Sequence, residues 1–385
     1  MTVRRLVGIP GFSIDHVAAA AGTDPDVLRL ENLDTDLAPP AAALAATQAA
    51  LTDDHANSYL PFTGSLALRE AVANHIQNQT GHAYLPDEIV ITAGGTEGML
   101  DALLATTDPN DEVILTDPTY AGMTNRVRLA GAIPKLVPFV IHRNEWRLDL
   151  GALRAAVNDR TRTLFIMNPS MPSGAVLNAE EWQAIADICE QRSLWLIYNA
   201  AMERILYDGR RLVHPAAQVG MEKRTIIVGS ISKEYRMIGW RIGWVAGPAS
   251  IMRDIAKVHI YNVVTPPGIA QAAARAALQS PPEDLAACVA EWQRRRDTVL
   301  EQLRRLPVIP AAGGWSLLLD VGAMGYDSFT ASKLLLERGK VAATPMRDWG
   351  ERNGDQFVRL VFSNEPVARL ESLRDRVMKA LISSA

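Results

Sequence analysis

The amino-acid sequence predicts an α/β fold, with a mostly parallel sheet in a large domain and a smaller α+β domain after it. From about Ser65 onward, amphipathic helical patterns alternate with short runs rich in Val, Ile and Leu that are bounded by turn residues. Runs of this composition predict strands buried on both faces, as in parallel sheets covered by helices. From Pro281 the pattern changes to a charged helix, a strand, a helix, a strand and a last helix, which favours a separate α+β unit.

The predicted elements alternate in order along the chain. Helices are predicted for LREAVANHI, TEGMLDALLATT, TNRVRLAGA, LDLGALRAAV and AEEWQAIADICEQR. Strands are predicted for EIVITAG, DEVILTDP, IPKLVPF, TRTLFIMNP, LWLIYNA and RTIIVGSIS. The later unit contains the helix PEDLAACVAEWQRRRDTVLEQLRRL, the strand WSLLLDVG, the helix FTASKLLLERG and the strand FVRLVF. The alanine-rich run Ala41–Ala50 predicts the start of a helix rather than a membrane span, because a span needs about 18 to 20 apolar residues.

The order of these elements also predicts the domain organisation. No repeat of fixed period and no Gly/Ser-rich linker divides the 385 residues. We expect an N-terminal segment, 1–45, that joins the small domain, a large domain at 46–285 and a small C-terminal domain at 286–385. A chain of this length excludes a small binding module.

Composition restricts the class of partner and the compartment. The formal net charge is −4, which gives no electrostatic reason to expect nucleic acid or an anionic membrane as a partner. The two cysteines, Cys189 and Cys288, belong to no CxxC motif and no Cys/His cluster, so we expect neither a disulfide framework nor a metal site. The basic N-terminus lacks the apolar core of a signal peptide. A reducing cytoplasm is therefore predicted.

The loops that follow the strands are the predicted location of the functional site. In open α/β sheets, ligands bind beyond the carboxyl ends of the strands. Those loops read ITAGGTEG, TDPTYAG, IMNPSMPSG, IYNAAME and GSISKEYR. All of them carry Gly, Ser, Thr, Asn or Tyr at the strand end, which is a high density of polar and small residues for connections that only turn.

Two of these loops carry residue types with a specific chemistry. In Thr92–Gly98, small residues precede a helix whose first amides and Thr96 hydroxyl suit a phosphate dianion, although a plain glycine turn with Thr96 as the N-cap fits equally well. The segment lacks the spacing of GxGxxG and of a P-loop, which disfavours a nucleotide. In Ser230–Arg241, Lys233 stands at a strand end with Arg241 eight residues later. Desolvation and a neighbouring cation lower a lysine pKa and favour an imine-forming amine, and the chain has only seven lysines.

In this order the segments resemble the pyridoxal-phosphate enzymes of fold type I, in particular the class I/II, aspartate aminotransferase-like group. The resemblance runs from about Glu31 to the C-terminus, and its most specific element is SISK followed by GWRIGW. It implies pyridoxal 5′-phosphate as the cofactor and a large domain that binds it. It also implies a homodimer with shared active sites, and transfer of the amino group of an L-amino acid to a 2-oxo acid.

The resemblance also implies a role for individual residues. Lys233 would carry the cofactor as an aldimine and move the substrate proton. The residues that would hold the cofactor phosphate are Ser230, Ser232, Arg241 and, from the helix start, Gly95, Thr96 and Glu97. Tyr120 matches the aromatic residue that stacks on the pyridine ring, and Tyr59 matches the tyrosine that reaches the phosphate of the neighbouring subunit. Arg359 matches the arginine that grips the substrate carboxylate, and Asn168 opens a segment similar to the NPxNPTG turn of the family.

Three departures from the family pattern concern the pyridine ring. Met171 stands where the turn has an asparagine that donates to the cofactor phenolic oxygen. Asn199 stands where the family has an aspartate under the ring nitrogen, and Met202 replaces a tyrosine three residues later. An aspartate keeps the nitrogen protonated, and the resulting cation is the electron sink of the reaction. At ~4 Å and an effective dielectric of 20, one such charge pair is worth ~4 kcal/mol. We therefore expect Asn199 to weaken the sink. Met171 and Met202 would offer a soft apolar wall, although ordinary core methionines that fill gaps fit the sequence equally well.

These observations leave three functional hypotheses. The first is an aminotransferase with an altered ring environment, because the lysine, the phosphate site and the carboxylate arginine remain. The second is a pyridoxal-phosphate enzyme of another type, such as a racemase, lyase, cyclase or oxidase, whose chemistry tolerates Asn199. The third is a cofactor-binding protein with little catalysis, or a site in which Asn199 replaces an aspartate. The substrate side chain also stays open. Leu33, Trp315, Trp349 and Tyr261 suggest an apolar or aromatic amino acid, and Arg236 and Arg347 an acidic one.

Overall fold

The protein is described by a computed structural model, which covers residues 3, 6–9, 11 and 13–382. The α-helices of this described part are α1 (Ser13–Ala21), α2 (Ala41–Ala50), α3 (Leu66–Thr80), α4 (Gly94–Thr106), α5 (Ala121–Leu129), α6 (Leu150–Ala156), α7 (Ala179–Gln191), α8 (Ala249–Asn262), α9 (Gly268–Leu278), α10 (Pro282–Gln302), α11 (Ser328–Gly339), α12 (Val367–Leu370) and α13 (Leu373–Leu381). The strands are β1 (Leu28–Arg29), β2 (Ile89–Thr92), β3 (Glu112–Asp117), β4 (Ile133–His142), β5 (Glu145–Leu148), β6 (Thr161–Met167), β7 (Trp195–Asn199), β8 (Thr225–Ser230), β9 (Gly243–Ala246), β10 (Val308–Ile309), β11 (Ser316–Asp320), β12 (Val341–Ala342), β13 (Thr344–Pro345) and β14 (Phe357–Val361).

The large sheet has eight strands in the order β2-β9-β8-β7-β6-β3-β4-β5. The pairs from β8 through β7, β6 and β3 to β4 are parallel. Strand β9 pairs antiparallel with both β8 and β2, and β5 pairs antiparallel with β4. All residues of β2, β3, β8 and β9 are buried, and so are all residues of β7 except Trp195. The predicted α/β fold with a mostly parallel sheet is therefore confirmed.

The two antiparallel strands were not among the predicted elements. Strand β5 is a short return from β4 over a two-residue turn, Arg143-Asn144, in which both residues have positive φ. Strand β9 lies in the segment GWRIGWVAG, whose glycines and arginine indicated a ligand-binding loop rather than a strand. The helix predicted to start in Ala41–Ala50 is α2, which packs against α9.

A second sheet of four strands, in the order β10-β11-β14-β13, is entirely antiparallel and lies in the last third of the chain. The N-terminal segment reaches this part of the molecule through β1, which pairs parallel with β12. Leu30 continues the contact, because its amide donates to Ala342 O and its carbonyl accepts from the amide of Val361. Residues 28–30 are thus hydrogen-bonded to the C-terminal elements.

Local sequence signals fix the ends of several helices. Helix α3 starts at Ser65, whose hydroxyl accepts from the amide of Leu68, and stops at Gly81, which has a φ of 75°. Helix α7 starts with a capping box, in which Asn178 and Glu181 each accept from the other's backbone amide. None of the helices in the described part of the chain is long and apolar enough to cross a lipid bilayer.

The end of strand β3 is tied to a distant turn by one carboxylate. Asp117, which is buried, accepts hydrogen bonds from the backbone amides of residues 351, 352 and 353, at 3.2, 2.7 and 3.2 Å. Asn353 returns two bonds, to the carbonyls of Asp117 and Phe139. Because a buried carboxylate is costly unless its oxygens accept hydrogen bonds, this single group holds the turn after Trp349 against the large sheet.

We expect the Asp117→Ala variant to lose about 3 kcal/mol of unfolding free energy, because three backbone amides lose their acceptor. Urea unfolding of the full chain measures this value. The matched control is Asp149→Ala, which removes one N-cap bond at the start of α6 and should cost only about 1 kcal/mol. Equal losses in the two variants would contradict the role assigned to Asp117.

Candidate active site

The carboxyl ends of β2, β3, β6, β7 and β8 lie at one edge of the large sheet and surround a cavity of about 300 Å³. Nine of the twelve predicted site residues line it, namely Gly95, Thr96, Tyr120, Asn199, Ser230, Ser232, Lys233, Arg241 and Arg359. Residues from four strand ends and from β14, far apart in the chain, are thus brought together as the parallel topology requires.

The other three predicted site residues lie elsewhere. The Glu97 side chain turns away from the cavity and contacts His259. Asn168 is buried and ties its own loop, since its Oδ1 accepts from the amide of Leu177 at 2.8 Å. Tyr59 lies on the surface of the single chain, with 85% of its area exposed.

Lys233 is a partly buried amine at the centre of the cavity lining. Its Nζ donates to the carbonyl of Leu33 at 2.6 Å and lies 5.1 Å from the ring centroid of Trp315. Burial lowers the pKa of Lys233 to about 7, the charges of Arg359 and Arg241 act in the same direction, and Asp34 opposes them. A large fraction of this amine is therefore neutral and nucleophilic near neutral pH.

An anion cradle lies on one side of Lys233. Helix α4 starts there without a side-chain N-cap, so no capping side chain accepts from the first backbone amides of the helix. Arg241 approaches this helix start so closely that a Cβ on Gly94, which has a φ of 76°, would lie 2.3 Å from Nη2. Arg241 Nη1 also lies 3.4 Å from the Ser232 hydroxyl. Helix amides, hydroxyls and a guanidinium together suit a phosphate dianion, which favours the phosphate reading of Thr92–Gly98 over a plain turn.

Arg359 offers a second cationic group on the other side of the cavity. It is fully buried and donates from Nη2 to the carbonyl of Glu31 and to the Thr344 hydroxyl. Burial lowers its pKa to about 10, so the guanidinium stays charged at neutral pH. Its Nε is buried without a hydrogen-bond partner, which leaves a donor for a ligand carboxylate.

Two aromatic rings form one wall around Arg359. The Trp349 ring lies 4.8 Å from the Arg359 guanidinium and 6.0 Å, centroid to centroid, from the ring of Tyr120. The amide of Thr119 donates to the carbonyl of Trp349 at 2.8 Å. The loop that carries Tyr120 therefore also fixes Trp349, and the turn held by Asp117 supports both.

Of the three residues that depart from the family pattern, two line the cavity. Asn199 lines the cavity, its Oδ1 accepts from the amide of Ala201 at 3.0 Å, and its Nδ2 lies 3.4 Å from Met99 Sδ. Met171 also lines the cavity, with its sulfur 3.6 Å from Arg359 Nη1. Met202 is 1% exposed and stands behind the cavity wall. Among the described residues that line the cavity there is thus no carboxylate, and the Asn199 amide contacts a polarisable thioether instead.

The residues suggested for substrate selection separate into two groups. Leu33 lines the cavity, and Trp315 and Trp349 contact Lys233 and Arg359. Tyr261 is 92% exposed in the single chain. The two arginines considered for an acidic side chain are both engaged elsewhere, Arg236 with Asp284 at 2.7 Å and Arg347 with Asp355 at 2.9 Å.

Sequence reasoning missed six lining residues, namely Ile14, Asn32, Met99, Met167, Ala201 and Ile238. Met99 follows Thr96 by three residues on α4, so helical spacing alone would have placed both on one face. Asn32 and Ile238 come from irregular segments, and no pattern in the sequence pointed to them.

The cavity fits pyridoxal 5′-phosphate on the evidence of its own atoms. The phosphate has a cradle at Arg241 and α4, an aldehyde has a neutral amine at Lys233, and an aromatic ring has Tyr120 on the lining. A second anion finds the unpartnered Nε of Arg359. This donor set serves a phosphorylated carbonyl compound together with a carboxylate.

Comparison with known proteins gives the same class of chemistry. The model of the family "aminotransferase class I and II" matches residues 26–377. The chain is 30% identical to arginine–pyruvate transaminase AruH of Pseudomonas aeruginosa, over 89% of this chain and 87% of that protein. It is 35% identical to a probable N-succinyldiaminopimelate aminotransferase of Mycobacterium tuberculosis, over 75% of this chain and 74% of the other.

Solved structures agree over almost the full length. The N-succinyldiaminopimelate aminotransferase of Mycobacterium tuberculosis superposes with a TM-score of 0.92 at 32% identity, covering 98% of this chain and 99% of that one. The aspartate aminotransferase of Thermus thermophilus with maleate superposes with a TM-score of 0.91 at 28% identity, covering 99% and 100%.

Reductive methylation of the cofactor-free protein tests the state of the Lys233 amine. Because only the neutral amine reacts, we expect the methylation rate of Lys233 to rise with pH and to reach half its maximum near pH 7. Mass spectrometry of the digest gives the rate at each pH. The exposed Lys257, paired with Asp254, serves as the reference lysine in the same digest. A Lys233 profile that coincides with that of Lys257 would be inconsistent with a desolvated amine.

Proposed function

The chain belongs to the class I and II aminotransferase family, and on that premise we propose that the cavity around Lys233 is its active site. Like its relatives, it is a pyridoxal-phosphate-dependent transaminase that acts on amino acids and 2-oxo acids. The observation that carries the proposal is the position of one desolvated amine, Lys233, in a cavity that also contains the Arg241 cradle and the buried Arg359.

Each residue of the cavity has a proposed task. Arg241, Ser230, Ser232 and the first amides of α4 bind the cofactor phosphate, and Tyr120 holds the ring by its flat face. Pyridoxal phosphate bound there supplies a ring that takes up the electrons released when the Cα–H bond of the amino acid breaks.

The remaining residues act on the substrate. Arg359 binds the α-carboxylate through its free Nε and so fixes the orientation of the α-carbon. Lys233, whose amine is in part unprotonated near neutral pH, removes the proton from the α-carbon and returns it. The indole rings of Trp315 and Trp349, both 1% exposed, exclude water from these groups.

We propose an uncharged substrate side chain. Leu33, Ile238 and Met171 line the cavity, and the two arginines that would favour an acidic side chain are paired with Asp284 and Asp355. An apolar lining rewards burial of an apolar side chain and penalises an unpaired carboxylate.

We further propose that the protein is a cytoplasmic homodimer, with an N-terminal segment at 1–45, a cofactor domain at 46–285 and a small domain at 286–385. The free cysteines Cys189 and Cys288 support the compartment. The strongly exposed rings of Tyr59 and Tyr261 support a partner surface near the cavity, where Tyr59 would reach the phosphate of the partner site.

A second candidate function follows from the ring environment. Asn199 places an amide where the family places a carboxylate, and Met171 removes a donor from the same region. A weaker electron sink favours chemistry other than full transamination, such as racemisation, elimination, cyclisation or oxidation.

A half-reaction experiment decides between these functions. We expect the purified protein to absorb in the visible and a Lys233→Ala variant to lose that band. With leucine, phenylalanine, arginine or aspartate as donor, transamination converts the cofactor to its pyridoxamine form, which absorbs at shorter wavelength. Turnover of any donor without that conversion would favour the second candidate. A colourless protein that takes up no pyridoxal phosphate would disprove the placement of the cofactor at Lys233.

The Asn199→Asp variant tests the position of the ring nitrogen. A carboxylate there stabilises a protonated nitrogen and strengthens the electron sink, so we expect the rate of the half-reaction to rise by on the order of tenfold, or about 1.4 kcal/mol. Stopped-flow absorbance measures the rate. The matched control is Asn199→Ala, which removes the amide without adding charge and should give no increase. An unchanged rate in Asn199→Asp would show that this side chain does not face the ring nitrogen.

A further inference from the structure

A buried cluster of ionisable side chains lies directly behind the phosphate end of α4. It consists of Glu97 and Asp101 from α4 and His259 from α8, and all three are buried. One donor atom from each lies within 4.8 Å of the others. The proposed catalytic steps do not use these side chains.

The hydrogen bonds of His259 fix where its protons lie. Its Nε2 is 2.8 Å from the carbonyl oxygen of Phe62, and its Nδ1 is 2.7 Å from Glu97 Oε1. A carbonyl oxygen only accepts, so Nε2 carries a hydrogen. A second proton must lie between Nδ1 and Oε1. The Glu97–His259 pair is therefore neutral as a whole, and both ring nitrogens are occupied by hydrogen bonds rather than free to bind a metal ion.

The electrostatics agree with an imidazolium. Burial by itself lowers the pKa of His259, but the hydrogen bond and charge of Glu97 outweigh it and raise that pKa. Asp101 lies beside the pair, with Oδ1 accepting from Asn262 at 3.0 Å and Oδ2 buried without a partner, 3.8 Å from His259 Nδ1. Burial and the charge of Glu97 raise the pKa of Asp101 to about 7.

The location of Glu97 makes its neutralisation important. Glu97 follows Thr96 in the first turn of α4, and its Oε2 accepts from the amide of Ala93 at the helix start. A carboxylate at this place stabilises the helix by itself. It would also repel a phosphate dianion bound at the same helix end, in a region with little water to screen the charges.

We propose that His259 is a positioning residue for the cofactor phosphate. Its positive charge cancels that of Glu97, and its two hydrogen bonds fix the first turn of α4 against the carbonyl of Phe62, so that the helix end keeps its attraction for a dianion. This inference rests on the proposed function, because it requires the phosphate at Arg241 and α4.

The test compares two aldehydes that differ only in the phosphate. Pyridoxal 5′-phosphate and pyridoxal both react with Lys233, and titration of the apoprotein in the visible gives a dissociation constant for each. We expect His259→Gln to weaken pyridoxal 5′-phosphate about tenfold and to leave pyridoxal within twofold. A glutamine is uncharged, so the repulsion from Glu97 returns. The double variant Glu97→Gln/His259→Gln should recover most of the preference for the phosphate ester.

Matched variants separate this role from simple packing. His214→Gln alters another buried histidine, whose Nε2 lies 3.5 Å from Glu203 Oε2, and should leave the ratio of the two constants unchanged. Glu97→Gln alone should keep the preference for the phosphate ester. If His259→Gln weakens both aldehydes equally, or if the double variant recovers nothing, His259 is only a structural residue and the inference is overturned. If the wild-type protein prefers neither aldehyde, the phosphate placement of the proposed function is itself wrong.

Discussion

The desolvation of one amine is the constraint on which the rest of the site depends. Lys233 gains a lowered pKa because protein rather than water surrounds it, and two guanidiniums nearby act in the same direction. Each guanidinium also donates a hydrogen bond to a backbone carbonyl, Arg241 to that of Ile238 and Arg359 to that of Glu31. The fold therefore brings two guanidiniums and the Lys233 amine to one cavity, and each of them donates to a backbone carbonyl. Of the cavity-lining residues that the structure describes, none is a carboxylate that could form an ion pair with the lysine.

Support for this arrangement comes from a layer behind the cavity. Asp117 holds the turn that follows Trp349, and Trp349 packs on Arg359 and Tyr120. Glu97, His259 and Asp101 form a second support behind the helix that starts at the cradle. Backbone amides compensate the buried charge of Asp117, and the His259 imidazolium compensates that of Glu97. Buried charges require such partners. The Arg359 side and the Arg241 side of the cavity are thus supported by separate polar networks.

Much of the site could be predicted because its residues stand next to strand ends. Lys233, Ser230 and Ser232 follow a strong apolar strand, and strand ends of a parallel sheet meet at one edge whatever the details of packing. Glu97 was assigned to the phosphate site with Thr96, but successive helical residues point about 100° apart, so the Glu97 side chain faces α8 instead. Its partner His259 is 162 residues away. No local pattern reveals such a contact, and the same holds for the Trp349 contact with Tyr120. Strand β9 was missed because its glycines and arginine carry a ligand-binding signature stronger than its strand signature.

The pairing of β9 with β8 determines how Lys233 and Arg241 are placed relative to each other. Since β8 and β9 pair antiparallel, with Ser230 opposite Gly243, the chain leaves the sheet after Ser230 and re-enters it at Gly243. Lys233 and Arg241 both lie in the connection between these two residues. Lys233 and Arg241 are therefore two points on a single hairpin connection, whereas Arg359 belongs to a different sheet more than a hundred residues later. The connection between β8 and β9 therefore positions both side chains as one module. Arg359 and Asn199 lie outside this module, on β14 and at the end of β7, so a substitution at either position leaves the connection that carries Lys233 and Arg241 in place.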